Sequence, residues 1–196
     1  LVRSRGLGDV YKRQAQPNNR LIWDIPSFTV KDQIPDYSKD VKLNLSSLII
    51  NSDMDEKLVY GCALASALAL DNEKISDIFI EECKSRFDNG YIEAVKGTVC
   101  IMTLNNVWYK YREAMPNNEM KMAPQKMRVN IMREYAGLDM ELFESLSLCI
   151  SAVNGCQFCV TAHSELLLNN GKSKDYVLNI GRIASTIVAV SKALSI

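Results

Sequence analysis

Asn154 and Gly155 interrupt an apolar run, and the residues after them set two cysteines and the chain's only histidine at helical spacing. A break followed at once by a fresh helix constrains the fold more than any other feature of the chain. The stretch reads Glu144-Ser-Leu-Ser-Leu-Cys-Ile-Ser-Ala-Val-Asn-Gly-Cys156-Gln-Phe-Cys159-Val-Thr-Ala-His163. With a helix beginning at Cys156, Cys159 follows one turn later on the same face, and His163 comes four residues after Cys159. The segment before the break is also expected to be helical, with Asp139 as N-cap and Glu141 in its first turn. Paired as a hairpin, the two helices bring Glu144 to His163, directly or through a water, fixing the imidazole tautomer and raising its basicity.

That stripe points to redox chemistry. The reactive form of cysteine is the thiolate, and both a helix N-terminus and a neighbouring imidazole lower the thiol pKa. A dithiol so placed attacks an oxidant and then closes a disulfide. Cys62, Cys83, Cys100 and Cys149 are instead scattered among apolar residues and read as buried, reduced thiols. One paired dithiol among unpaired cysteines, with no signal peptide, fits a reducing cytoplasm.

The rest of the chain reads as helix throughout. After an irregular lead over 15–33, Tyr37, Val41, Leu45, Leu48 and Ile49 fall at helical spacings behind Pro35, and Asp53 or Asp55 caps an alanine-rich run from Leu58 to Leu70. Further helices are expected over 75–87, 91–114, 124–135, 140–153, 156–169 and 174–194, with Gly171 as a stop signal and Ser173 as a cap. Strand signals are weak, so the predicted fold is an all-α bundle. Tyr91-Ile-Glu-Ala-Val echoes Tyr176-Val-Leu-Asn-Ile, which suggests two related halves, about 34–115 and 120–196, within one domain over 34–196. Only the second half carries the cysteines and the histidine at the motif.

Residues 1–14 stand apart. Ser4 to Gln14 back-translates codon for codon into the end of a transposon-based sequencing adapter, so this run is expected to be an artefact rather than a natural basic arm or targeting peptide. Residues 1–14 hold four basic residues and one acidic residue of the 23 and 23 in the chain, leaving 19 basic and 22 acidic, a net −3. A mildly acidic body has no electrostatic footprint for nucleic acid. No apolar run approaches bilayer-spanning length.

The string Ser151-Ala-Val-Asn-Gly-Cys156-x-x-Cys159-x-x-Ala162-His163, with Glu144 upstream, resembles the signature of the alkyl hydroperoxidase D family within the carboxymuconolactone-decarboxylase-like fold. Ile34 to Ser47, Leu64 to Ser66, Met102 to Tyr109 and Arg128 to Ile131 resemble segments of that family in the same order. The resemblance implies a thiol-dependent antioxidant enzyme that reduces alkyl hydroperoxides or passes electrons to a peroxiredoxin. It implies no bound cofactor, a lipoyl dithiol on a 2-oxoacid dehydrogenase subunit as electron donor, and a homotrimer. Within that scheme Cys159 is the expected attacking thiol, because His163 on the next turn takes its proton. Cys156, expected at the first helical position and more exposed, donates a proton and resolves the sulfenic acid, and Glu144 completes the relay. One departure stands out: some members carry histidine just before the second cysteine, where this chain has Phe158. Asn105, Asn106, Trp108 and Tyr109 look family-like, with packing and substrate roles both open. Two alternatives stay in view: a zinc module using Cys156, Cys159, His163 and Glu144, and a non-peroxidatic relative on the same fold.

Overall fold

The computed structural model describes residues 26–196, so the expected adapter run and most of the expected arm lie outside the described residues. Among the described residues there are ten α-helices and no strand. They are α1 (Pro26–Gln33), α2 (Lys39–Leu45), α3 (Glu56–Ala69), α4 (Glu73–Lys84), α5 (Asn89–Glu113), α6 (Asn118–Lys121), α7 (Asn130–Arg133), α8 (Met140–Val153), α9 (Gln157–Asn169) and α10 (Lys174–Ala193). A 3-10 turn, Asp36–Ser38, precedes α2, and a π turn, Ser46–Ile50, follows it.

Two helices form the centre. In α3 every residue from Leu58 to Ala67 is buried, and in α8 every residue from Phe143 to Ser151. A helix buried all round needs neighbours on every side. The two pack on each other, α5 and α10 each flank both of them, and α4 and α9 complete the hairpins. Phe79, Phe143, Leu64, Leu146, Ile150 and Ile183 are among the largest fully buried side chains, each stabilising the fold by roughly 1.5–3 kcal/mol on transfer from water. Small residues on α3 allow the close approach: a Cβ at Gly61 would run into the Tyr91 hydroxyl, which donates to the Lys57 carbonyl at 2.5 Å.

The two halves are built alike. Asp55 and Asp139 each cap a central helix through the side chain, at 3.1 Å to the Leu58 amide and 2.8 Å to the Leu142 amide. Asp88 and Ser173 cap α5 and α10 through the amides of Tyr91 and Tyr176. Tyr91 then reaches back to Lys57, 34 residues earlier, and Tyr176 to Glu141, 35 residues earlier. Each side-chain cap supplies about 1 kcal/mol.

Three expectations need correction. The last part of the expected irregular arm is the helix α1, because Val30 and Ile34 are buried against the π turn and α4. No single helix spans 124–135; the chain there makes only α7 and a 3-10 turn, Tyr135–Gly137. Pro124 lacks an amide N–H to donate, and Lys126, Tyr135 and Ala136 take positive φ angles of 48°, 49° and 55°, each of which ends a right-handed helix. Cys100 is exposed on α5, whereas Cys62, Cys83 and Cys149 are buried as expected.

Two of the buried thiols, Cys62 and Cys83, are held as neutral groups. Cys149 lies 3.0 Å from the Ser66 hydroxyl, and contact with Cys149 together with burial pushes the Cys62 thiol well up. Burial, aided by the charge of Glu82, pushes Cys83 up to about 12.

Candidate active site

The turn between α8 and α9 aims the cysteines. Gly155 takes φ 68°, its amide bonds the Ala152 carbonyl at 3.2 Å, and the Cys156 amide bonds the Ser151 carbonyl at 3.0 Å. This pair of bonds closes the C-terminus of α8 and requires a residue at ease with positive φ. The chain then enters α9 directly, with Cys156 as N-cap rather than first helical residue: its Sγ accepts from the Cys159 amide at 3.3 Å. Cys156 and Cys159 are joined as a disulfide, with Cα atoms 5.3 Å apart.

Both sulfurs sit inside. Cys156 is 1% exposed and Cys159 3%, so the expected greater exposure of Cys156 is not found, because capping turns its side chain back over the first turn of α9. Cys156 nevertheless lines an open groove of about 560 Å³, whose walls include Tyr109, Lys110, Phe158, Thr161 and Glu165.

One turn beyond Cys159, His163 Nδ1 lies 2.5 Å from Glu144 Oε2, with both side chains largely buried. A carboxylate accepts only, so the imidazole carries its proton on Nδ1, and in its neutral form Nε2 holds the free lone pair. Among the described residues, no three His, Cys, Asp or Glu side chains are arranged to hold a metal ion.

Phe158 is 42% exposed and stacks on Tyr109 of α5, ring centres 4.8 Å apart. The Arg112 guanidinium lies over both rings, at 4.7 Å from Tyr109 and 5.4 Å from Phe158. Asn106 has a structural part: its Nδ2 donates to Ser151 Oγ at 3.0 Å, and its Oδ1 accepts from Asn154 Nδ2 at 2.9 Å. Lys110 Nζ donates to the Asn154 carbonyl at 2.9 Å, so α5 ties down the turn before Cys156. Asn105 stands apart from the dithiol, bonded to Gln125 and Met132, and Trp108 Nε1 is buried without a partner.

Sequence reasoning named Cys156, Cys159, His163 and Glu144; the structure joins the first two as a disulfide and sets the other two in contact, with His163 one helical turn beyond Cys159. That reasoning missed Lys110 and Arg112. A signal was available for Lys110, which is one helical turn from Asn106 on α5, so that both reach Asn154 in the turn.

The model of the carboxymuconolactone decarboxylase family matches residues 119–196, which covers α7 to α10 and the whole dithiol hairpin. Over longer spans the chain is similar to proteins named "Alkyl hydroperoxide reductase AhpD". That of Coxiella burnetii (strain Dugway 5J108-111) is 34% identical over 162 residues, covering 81% of this chain and 91% of the relative. That of Maricaulis maris (strain MCS10) is 36% identical over 166 residues, covering 85% and 95%. That of Acidobacterium capsulatum is 33% identical over 171 residues, covering 87% and 93%.

Proposed function

The chain belongs to the AhpD family of the carboxymuconolactone-decarboxylase-like fold, and on that premise we propose that it is an antioxidant dithiol oxidoreductase acting on alkyl hydroperoxides. The observation that carries this reading is the joining of Cys156 and Cys159 at the start of α9, one turn from a histidine already engaged by a buried carboxylate.

The cycle begins with reduced protein. His163 Nε2 takes the proton of Cys159, and the thiolate attacks the terminal oxygen of the hydroperoxide. The O–O bond breaks, the alkoxide leaves as the alcohol after taking a proton, and Cys159 becomes a sulfenic acid. Cys156 then attacks the Cys159 sulfur, expelling water and closing the disulfide. Glu144 holds the imidazole and offsets the positive charge it gains. An external dithiol restores the pair by exchange, and Cys156, which lines the groove, is the sulfur that dithiol meets first.

Within this reading the donor is a lipoyl dithiol carried by a 2-oxoacid dehydrogenase subunit, the recipient of electrons is a peroxiredoxin as well as free hydroperoxide, and the protein works in the cytoplasm as a homotrimer. Phe158, in the place where some members carry histidine, favours the electron-transfer task over direct peroxide turnover, since it brings no proton donor to Cys159.

The test is turnover of tert-butyl hydroperoxide by the reduced protein with dihydrolipoamide, comparing wild type with Cys156→Ser, Cys159→Ser and His163→Gln. Turnover lost in all three variants supports a dithiol peroxidase. A disulfide that forms without turnover supports an electron carrier, and the absence of any Cys156 to Cys159 disulfide overturns the proposal.

A further inference from the structure

Ser147 is fully buried on α8, and its hydroxyl has no hydrogen-bond partner. Buried hydroxyls on helices ordinarily donate to the carbonyl four residues back. Ser66, Thr98 and Ser145 all do so here, at 2.7, 2.8 and 2.8 Å, and Ser151 accepts from Asn106. Ser147 makes neither kind of bond. An unpaired buried polar group is unfavourable and needs a reason.

Its position supplies one. The amide of Cys156 bonds the carbonyl of Ser151, and His163 meets Glu144, so seven residues back along α8 match seven residues forward along α9. In that register Ser147 is level with Val160, one residue along α9 from Cys159. Helix geometry sets Ser147 about 60° around α8 from Glu144 and about 40° from Ser151, on the face shared with α9 and α5. Cys159 is 3% exposed and Met102 of α5 1%, so both are closed off from water.

We propose that Ser147 is the hydrogen-bond donor to the reduced Cys159 thiolate, an assignment that rests on the dithiol reading above. In the disulfide the Cys159 sulfur turns towards Cys156, and the Ser147 hydroxyl is left over. When dihydrolipoamide gives two electrons and two protons to the disulfide and closes its own ring disulfide, Cys159 is released. Its sulfur rotates towards α8 and accepts from Ser147. The hydroxyl therefore favours the reduced state, because it pairs with the thiolate there and has no partner in the disulfide.

Ser147→Ala tests this with two readouts that a packing role would not move together. The first is the pH dependence of Cys159 alkylation in reduced protein, followed by peptide mass. The second is the equilibrium between protein disulfide and dihydrolipoamide. Loss of a hydrogen bond to a charged group is expected to raise the Cys159 pKa by about one unit and to move the equilibrium about tenfold towards the disulfide. Ser147→Thr, which keeps the hydroxyl, should return both towards wild type. Unchanged values in Ser147→Ala, or equal changes in the Ala and Thr variants, overturn the assignment. If the wild-type disulfide forms and is reduced by dihydrolipoamide, such a result removes Ser147 alone; if it never forms, the dithiol reading falls and takes Ser147 with it.

Discussion

Asn72 and Cys156 hold the same place in the two halves of the bundle. Asn72 Oδ1 accepts from the Ile75 amide at 3.4 Å and Cys156 Sγ from the Cys159 amide at 3.3 Å, each capping the second helix of its half. The residue before each is left-handed, with φ 52° at Asp71 and 68° at Gly155. The catalytic candidate is thus a cap residue whose oxygen has been exchanged for sulfur.

Asparagine is a strong N-cap, so Cys156→Asn should fold and cap α9 at least as well as the thiol. Urea unfolding of the variant is expected within about 1 kcal/mol of reduced wild type, on either side. The same protein should form no intramolecular disulfide and turn over no hydroperoxide. A large loss of stability would show that the sulfur has a structural part beyond capping.

His163→Gln removes the base and should lower hydroperoxide turnover by about 10²–10⁴-fold. Glu144→Gln keeps a hydrogen-bond acceptor near Nδ1 but not the charge, so its loss should be smaller, with the KM for peroxide little changed. Equal defects in kcat, or a defect confined to KM, would contradict the assigned division between base and orienting carboxylate.

Phe158→His places an imidazole beside Cys159 on an exposed position. Turnover of tert-butyl hydroperoxide should rise, while stability falls by no more than about 1.5 kcal/mol from loss of the stack with Tyr109. Stopped-flow peroxide consumption and thermal unfolding of the same sample measure both. A fall in turnover would show that the aromatic wall under Arg112 assists the reaction as it stands.

Cys83 gives an alkaline limit. Burial holds its folded pKa at about 12, above the ordinary thiol value of 9.0, so the unfolded chain loses this proton first. Stability from this group is complete below pH 9 and decreases between 9 and 12, by about 1.4 kcal/mol per pH unit. Tyr91 and Tyr176, raised chiefly by burial, act in the same direction at higher pH. Cys83→Ala should flatten the fall of urea stability with pH in that window by about one proton. An unchanged slope would mean that the thiol is not held neutral.

Much of this is legible in the sequence. Asp139, Gly171 and Ser173 announce their helix ends by residue type, and the spacing of Glu144, Cys156, Cys159 and His163 needs only an antiparallel hairpin to become a site. The broken segment near 124–135 was harder, because Lys126, Tyr135 and Ala136 adopt left-handed φ without being glycine or asparagine, so only tertiary context requires it. Cysteine is not a customary cap residue, which is why α9 was expected to begin one residue early. Tyr109 and Arg112 are neighbours three residues apart on α5, but the Phe158 that stacks with them lies on α9, and periodicity within one helix carries no trace of that contact.

The ties from α5 to the turn before Cys156 give the two halves unequal but inseparable parts. A fragment starting at Met140 would contain both redox cysteines, the histidine and Glu144, yet it would lose Lys110 and Asn106, which hold the Asn154 carbonyl and the Ser151 hydroxyl. The half without the dithiol is therefore no spare copy. It is the anchor for the turn before Cys156, so cutting the chain between its halves would leave the dithiol hairpin without the side chains that brace it.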